Sequence, residues 1–144
     1  MCEKPKVKSL LFDSKFWFVL LADDQTYPGR SFVTLKRHCG DLAELTKDEL
    51  LDFHEVLRGF EKALKKSFNA TLFNWTCLMN HGFKQKPYNP HVHWHVRPRY
   101  DHEVVIGEEH FIDQEFGTHY GRGTDRAVSP SVKKLIVTTI RNNF

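Results

Sequence analysis

The chain has no long hydrophobic run. Its longest, Phe16 to Ala22, is seven residues, against the roughly 20 that a membrane-spanning helix needs, so no membrane span is expected. An early apolar leader is also missing, because Asp13, Ser14 and Lys15 interrupt the stretch Leu10-Leu11-Phe12; the N-terminus is expected to be mature and cytoplasmic. Cysteine is scarce. Cys2, Cys39 and Cys77 are odd in number and make no CxxC spacing, which excludes a disulfide framework and fits reduced thiols in a cytoplasm. Neither sign of charge dominates: 21 Lys and Arg stand against 18 Asp and Glu, a formal net charge of +3. That is too little for sequence-independent nucleic-acid binding, so no stable nucleic-acid partner is expected and any anion site must be local. Internal repeats, low-complexity tracts and Ser/Gly linkers are absent as well, and residues 1–144 are expected to form a single domain.

What the chain has is aromatic mass and histidine. Twelve Phe, 3 Trp and 4 Tyr within a hydrophobic fraction of 40% can fill one core. Phe16-Trp17-Phe18-Val19-Leu20-Leu21 and Ser31-Phe32-Val33-Thr34-Leu35, separated by turn signals at Asp23-Asp24 and Pro28-Gly29, read as two antiparallel strands. Thr46 and Glu49 form a capping box ahead of a helix to about Ser67, with Leu50, Phe53, Leu57, Phe60, Leu64 and Phe68 at helical spacing. Leu72 to Met79 reads as a largely buried strand, and Asn80 to Pro90, with Gly82, Pro87 and Pro90, as a loop without regular structure. Past Pro98 the pattern fades until Ser129-Pro130 caps a short C-terminal helix with Val132, Leu135, Ile136 and Ile140 on one stripe. The sum is an α+β class with a mainly antiparallel sheet.

Nine histidines are the compositional oddity, and three fall in His91-Val92-His93-Trp94-His95-Val96. Alternation with apolar residues is a period-2 pattern that puts all three imidazoles on one strand face, about 6.6 Å apart and spanning about 13 Å. Solvent-facing polar positions would be served equally by Ser, Thr, Lys or Glu. An H-x-H pair such as His91 and His93 can bind a metal, but it needs further ligands, and neither Asp101, His102, Glu103, His110 nor His119 is singled out by spacing. The third use is nucleophilic: imidazole titrates near neutrality and can divide a displacement at phosphorus into two steps.

The segment Pro90-His91-Val92-His93-Trp94-His95-Val96-Arg97-Pro98-Arg99 resembles the histidine triad (HIT) signature, His-φ-His-φ-His-φ-φ with φ hydrophobic. Asn80 and Gly82 are similar to the family's Asn and Gly-containing loop ahead of the triad. Pro28-Gly29-Arg30-Ser31-Phe32-Val33-Thr34-Leu35-Lys36-Arg37-His38 is similar to its early Gly-His strand. The resemblance covers about residues 10–100 and leaves 101–144 as a C-terminal extension. It implies a HIT-like α+β fold with a five-stranded antiparallel sheet, one long helix and a C-terminal helix. It also implies a nucleotide hydrolase or nucleotidyl transferase acting at the α-phosphorus of a nucleoside phosphoramidate or dinucleoside polyphosphate, with an adenine nucleotide as the expected substrate. His93 matches the nucleophile, and His91 and His95 flank it, holding phosphate oxygens and fixing its tautomer. A homodimer and no cofactor are implied too. The alternatives are a metal-dependent hydrolase built on the H-x-H pair and a nucleotide-binding protein of the same fold without turnover.

Three positions depart from the family pattern. Arg30 stands where the family has a fourth histidine, and it can hold a phosphate oxygen but cannot shuttle a proton near neutrality. Lys86-Pro87-Tyr88-Asn89-Pro90 replaces a Gly-Gln-Ser/Thr-Val loop, with Tyr88 at the hydroxyl position by count. Arg97 replaces a hydrophobic residue. Asn80, Arg30, Asp23, Tyr88 and Lys86 are the expected nucleotide-binding residues, with Asp23 or Asp24 about where the family holds a ribose hydroxyl; Lys84, Lys86, Arg97 and Arg99 lie in or beside the segments expected to hold a polyphosphate. Phe16, Trp17 and Phe18 could sandwich a base but suit a core equally. His54 is expected at the edge of the apolar helix face, and Gly121-Arg122-Gly123-Thr124 is not a phosphate loop, because no strand precedes it and no lysine follows.

Overall fold

The computed structural model describes residues 9–121, 123 and 125–144; Cys2, and Arg122 and Thr124 of the Gly-Arg-Gly-Thr segment, lie outside them. Seven strands and two α-helices follow in the order β1 (Leu10–Asp13), β2 (Trp17–Leu21), β3 (Ser31–Leu35), α1 (Lys47–Phe68), β4 (Leu72–Thr76), β5 (His93–Arg99), β6 (Val104–Ile106), β7 (Glu109–Phe111) and α2 (Pro130–Asn142). The first five strands form one antiparallel sheet in the order β1-β2-β3-β5-β4, and β6 and β7 form a separate hairpin. This is the expected α+β architecture. Among the described residues no helix is long and apolar enough to cross a membrane.

The pleat sorts the sheet into two faces. Trp17, Val19 and Leu21 of β2, Val33 and Leu35 of β3 and Val96 of β5 are buried in one core with Val56, Phe60, Ala63 and Leu64 of α1 and Val132, Ile136 and Ile140 of α2. Trp17 is thus core rather than a base sandwich; its indole Nε1 donates to the Glu49 carbonyl at 2.9 Å. In register, Thr34 lies opposite His93 and Phe32 opposite His95, while Val33 lies opposite Trp94. His93 and His95 therefore share the face away from the helices.

Several expectations are corrected. On α1 the buried stripe includes Glu49 in place of Leu50, which is 49% exposed; the N3 carboxylate is captured by Arg37 and by the capping box. His54 is exposed, not at the core edge. β4 ends at Thr76 and is only half-buried, and Met79 at φ 52° then leads into a short 3₁₀ segment at Asn80–Phe83 inside the supposed irregular loop. β5 starts at His93, not His91, and runs through Pro98 to Arg99. Beyond Val96 its only neighbour among the described residues is β4, so a residue without an N–H is tolerated there. The supposedly patternless stretch after Pro98 holds the β6–β7 hairpin, whose turn uses Gly107 at φ 60°. On α2, Leu135 is 46% exposed and Val137 takes its place in the core.

Candidate active site

Two of the three histidines, His91 and His93, are oriented by backbone carbonyls, and a carbonyl only accepts, so each of these contacts assigns a proton. His91 Nε2 lies 2.8 Å from the Leu35 carbonyl and therefore carries hydrogen; its Nδ1 is then the acceptor facing His38 Nδ1 at 3.2 Å. The two rings stack with centroids 5.3 Å apart. His93 Nδ1 lies 2.8 Å from the His91 carbonyl, so its hydrogen sits there and Nε2 keeps a lone pair. That Nε2 is 3.1 Å from His95 Nε2, which must be the donor. His95 Nδ1 is then bare, and it is buried with no partner among the described residues.

This relay leaves one imidazole nitrogen, His93 Nε2, with a lone pair on the open face and a neutral N–H beside it. Burial, then the charges of His93, Arg97 and Arg30, push the His95 pKa down to about 4, and burial is also the main cause that lowers His91. Both flanking rings are thus held neutral near pH 7. Phe32 sets its ring edge against His95, with centroids 5.0 Å apart, and Cys77, whose thiol burial pushes up, sits at the His93 backbone. Cys39 and Cys77 carry free thiols. Among the described residues no group of three or more His, Cys, Asp or Glu is arranged to hold a metal ion.

The remaining expected residues are dispersed. Arg30 is half-buried at the end of the site, ion-paired to Asp24. Asp23 is exposed and accepts from Lys133 of α2 at 2.6 Å, so Asp24 is the acidic residue nearer the histidines' Arg30. Asn80, Lys86 and Tyr88 are all exposed on the pre-triad loop. Tyr88 lies against Phe83 at 5.2 Å and Lys86 lies over the Tyr88 ring at 5.7 Å. Arg99 is not a phosphate ligand: it is 1% exposed and bound to Asp113. Two participants were not among the expected site residues, although His38 closes the segment similar to the family's early strand. His38 reads as a scattered histidine until the fold stacks it on His91, and Tyr120, in the extension, lies with its ring centroid 4.1 Å from the Arg97 guanidinium.

A row of imidazoles on the open face of an antiparallel sheet, with the middle ring anchored through Nδ1, defines a histidine-triad site. The chain belongs to the histidine triad (HIT) family, whose HIT domain model matches residues 3–102. Solved structures agree in fold. A histidine triad protein of Sinorhizobium meliloti is 17% identical with a TM-score of 0.70, covering 94% of this chain and 88% of that one. A diadenosine triphosphate hydrolase of Plasmodium falciparum is 15% identical with a TM-score of 0.65, covering 95% and 76%. A uridylyltransferase is 18% identical with a TM-score of 0.68, covering 96% of this chain and 41% of that one. No curated protein matches the chain at a significant level.

Proposed function

We propose that the protein is a nucleotide hydrolase or nucleotidyl transferase that works through a nucleotidyl intermediate on His93. The observation that carries this reading is the 2.8 Å contact of His93 Nδ1 with the His91 carbonyl, which leaves the Nε2 lone pair as the reactive one. Nε2 attacks the α-phosphorus of a nucleoside phosphoramidate or a dinucleoside polyphosphate. A P–N bond to His93 forms, the P–N or P–O bond to the leaving group breaks, and the leaving group departs with its electron pair. His95 Nε2–H, no longer accepted by His93, is placed to donate a hydrogen bond to the departing or phosphoryl oxygen, and the leaving group takes its proton from solvent water. Water then attacks the phosphorus and releases a proton to solvent, and the P–N bond to Nε2 breaks with its electron pair returning to the imidazole, giving free His93 and a nucleoside monophosphate. A second acceptor in place of water makes the same enzyme a transferase. The cycle is written without a cofactor.

An adenine nucleotide is the substrate to try first, and the diadenosine triphosphate hydrolase among the structural neighbours supports that choice. The proposed setting is a cytoplasmic homodimer; β4, an edge strand of the sheet, offers the surface, and light scattering on purified protein tests it. The decisive experiment is brief exposure to adenosine phosphoramidate or diadenosine triphosphate, acid quench and mass spectrometry. Adenylyl mass on the peptide holding His93, lost together with turnover in His93→Ala, is expected. Tight AMP binding with neither adduct nor turnover would instead mark a binding protein of this fold.

A further inference from the structure

The end of the histidine row carries two arginines that the triad chemistry above does not use. Arg97 follows His93 and His95 on the same face of β5, one more step of about 6.6 Å along the strand. Arg30, at the start of β3, lines the same cavity as Arg97, a space of about 330 Å³ also bounded by Asp24, Glu115, Tyr120 and Asp125. Two guanidinium groups sharing a cavity repel each other unless something negative lies with them. Arg30 has Asp24. Arg97 has no carboxylate within ion-pairing distance among the described residues; its partner is the face of Tyr120, at 4.1 Å.

The carboxylates in the cavity are mostly committed elsewhere. Asp24 also accepts from the Thr26 hydroxyl at 2.7 Å and from the Arg126 backbone N–H at 2.9 Å, and Glu115 accepts from the Gly121 N–H at 2.7 Å. Asp125 is exposed at the rim. Meanwhile Arg30 Nε and Arg97 Nη1 are buried donors without an acceptor among the described residues, as is the Thr76 hydroxyl, whose residue lies opposite His95 on β4. A buried N–H left without an acceptor costs roughly 1–3 kcal/mol. Arg97 and Arg30, both cationic, also act on the neighbouring His95. An anion is what this corner lacks, and a guanidinium fork matches a phosphate.

We propose that Arg30 and Arg97, roofed by Tyr120 of the C-terminal extension, form an anion subsite that takes the phosphate adjoining the phosphorus at His93. The inference rests on His93 as the attacked-phosphorus site. It selects between the two substrate classes left open above, favouring molecules with two or more linked phosphates over a single phosphoramidate, and it gives the extension a role in its own chain's site.

The test is calorimetric titration of the full chain with ADP and with AMP, in wild type and Arg97→Gln. Wild type is expected to bind ADP about tenfold or more tighter than AMP, the ratio of one charge-assisted contact, and Arg97→Gln to bring that ratio below about threefold. Arg97→Lys, which keeps the charge but loses the fork, is expected in between. Should Arg97→Gln fail to fold, Tyr120→Ala serves, with the ADP advantage again reduced. Inorganic pyrophosphate is expected to displace ADP more weakly from the variant. An ADP-to-AMP ratio unmoved by Arg97→Gln overturns the subsite even where His93→Ala abolishes hydrolysis. If hydrolysis survives His93→Ala while the ADP advantage still depends on Arg97, the subsite stands and the nucleophile assignment falls.

Discussion

Arg99 and Asp113 are joined by two parallel hydrogen bonds, Nε to Oδ2 at 2.6 Å and Nη2 to Oδ1 at 2.9 Å, with 1% and 2% of their side chains exposed. The same guanidinium donates to the Thr118 and Glu115 carbonyls and to Asn74 Oδ1. The last residue of β5 thereby holds the segment that follows the β6–β7 hairpin down on the sheet. Removing one partner from a buried pair strands the other charge, at roughly 3–5 kcal/mol. Asp113→Asn is expected to lower Tm by about 10 °C or more, measured by differential scanning calorimetry. A shift of only a few degrees would show that the carbonyl contacts alone hold the extension.

Period-2 and period-3.6 patterns made β2 to β5, the long helix and the His93 row legible, because each is a one-dimensional signal, whereas the edge strand β1 (Leu10–Asp13) was not read as a strand. The Thr46 and Ser129 caps were legible for the same reason: their hydrogen bonds span only three residues. What stayed hidden depends on contacts across the chain. Glu49 reads only as the capping-box partner of Thr46 until Arg37, twelve positions earlier, meets it; Arg99 reads as lying beside a polyphosphate segment until Asp113 claims it. His38 reaches His91 only through the pairing of β3 with β5, and Tyr120 reaches Arg97 only through the fold of the extension.

Gly82 sits under the chain that enters the triad. A Cβ there would fall 2.5 Å from Pro90 Cα and 2.7 Å from Pro90 N, and these are backbone atoms that cannot swing aside. Gly82→Ala must therefore move Pro90, and with it His91, whose carbonyl orients the His93 ring. Overpacking of this kind costs about 1–3 kcal/mol. A larger loss in kcat than in KM is expected from steady-state kinetics, because displacement of the His91 carbonyl frees the wrong His93 tautomer. Unchanged kcat would mean that the loop relaxes without disturbing the ring.

Thr46 and Glu49 satisfy one another at the start of α1: Thr46 Oγ1 accepts from the Glu49 N–H at 3.2 Å and Glu49 Oε2 from the Thr46 N–H at 2.8 Å. Thr46→Ala is expected to cost about 1 kcal/mol in urea unfolding. Arg37, bonded to the Glu49 carboxylate at 2.5 and 2.9 Å, is the main cause holding its pKa down to about 2 from 4.5. A carboxylate lowered on folding gives stability that is full above about pH 4.5 and is lost as pH falls toward 2. Arg37→Met is therefore expected to raise the pH of acid unfolding, followed by circular dichroism; an unmoved midpoint would place the acid-sensitive group elsewhere.

His95 should make the protein sensitive to mild acid for the opposite chemical reason: the charged form is the one the fold excludes. Protonation would put a second N–H on Nδ1, a buried atom with no acceptor among the described residues, beside His93 and in the field of Arg97 and Arg30. Its pKa accordingly falls from 6.5 in an open chain to about 4, burial being the largest cause. The sign follows by linkage: between those values the unfolded chain binds a proton that the folded one refuses, so stability is full above about pH 6.5 and declines as pH falls toward 4. His91, lowered by burial as well, adds to the decline in the same direction. His95→Asn cannot take up the proton, so its Tm is expected to fall less steeply than that of wild type across this window. Parallel curves for the two proteins would assign the acid sensitivity to other groups. A shallower one traces it to the neutral N–H that the proposed chemistry requires beside His93.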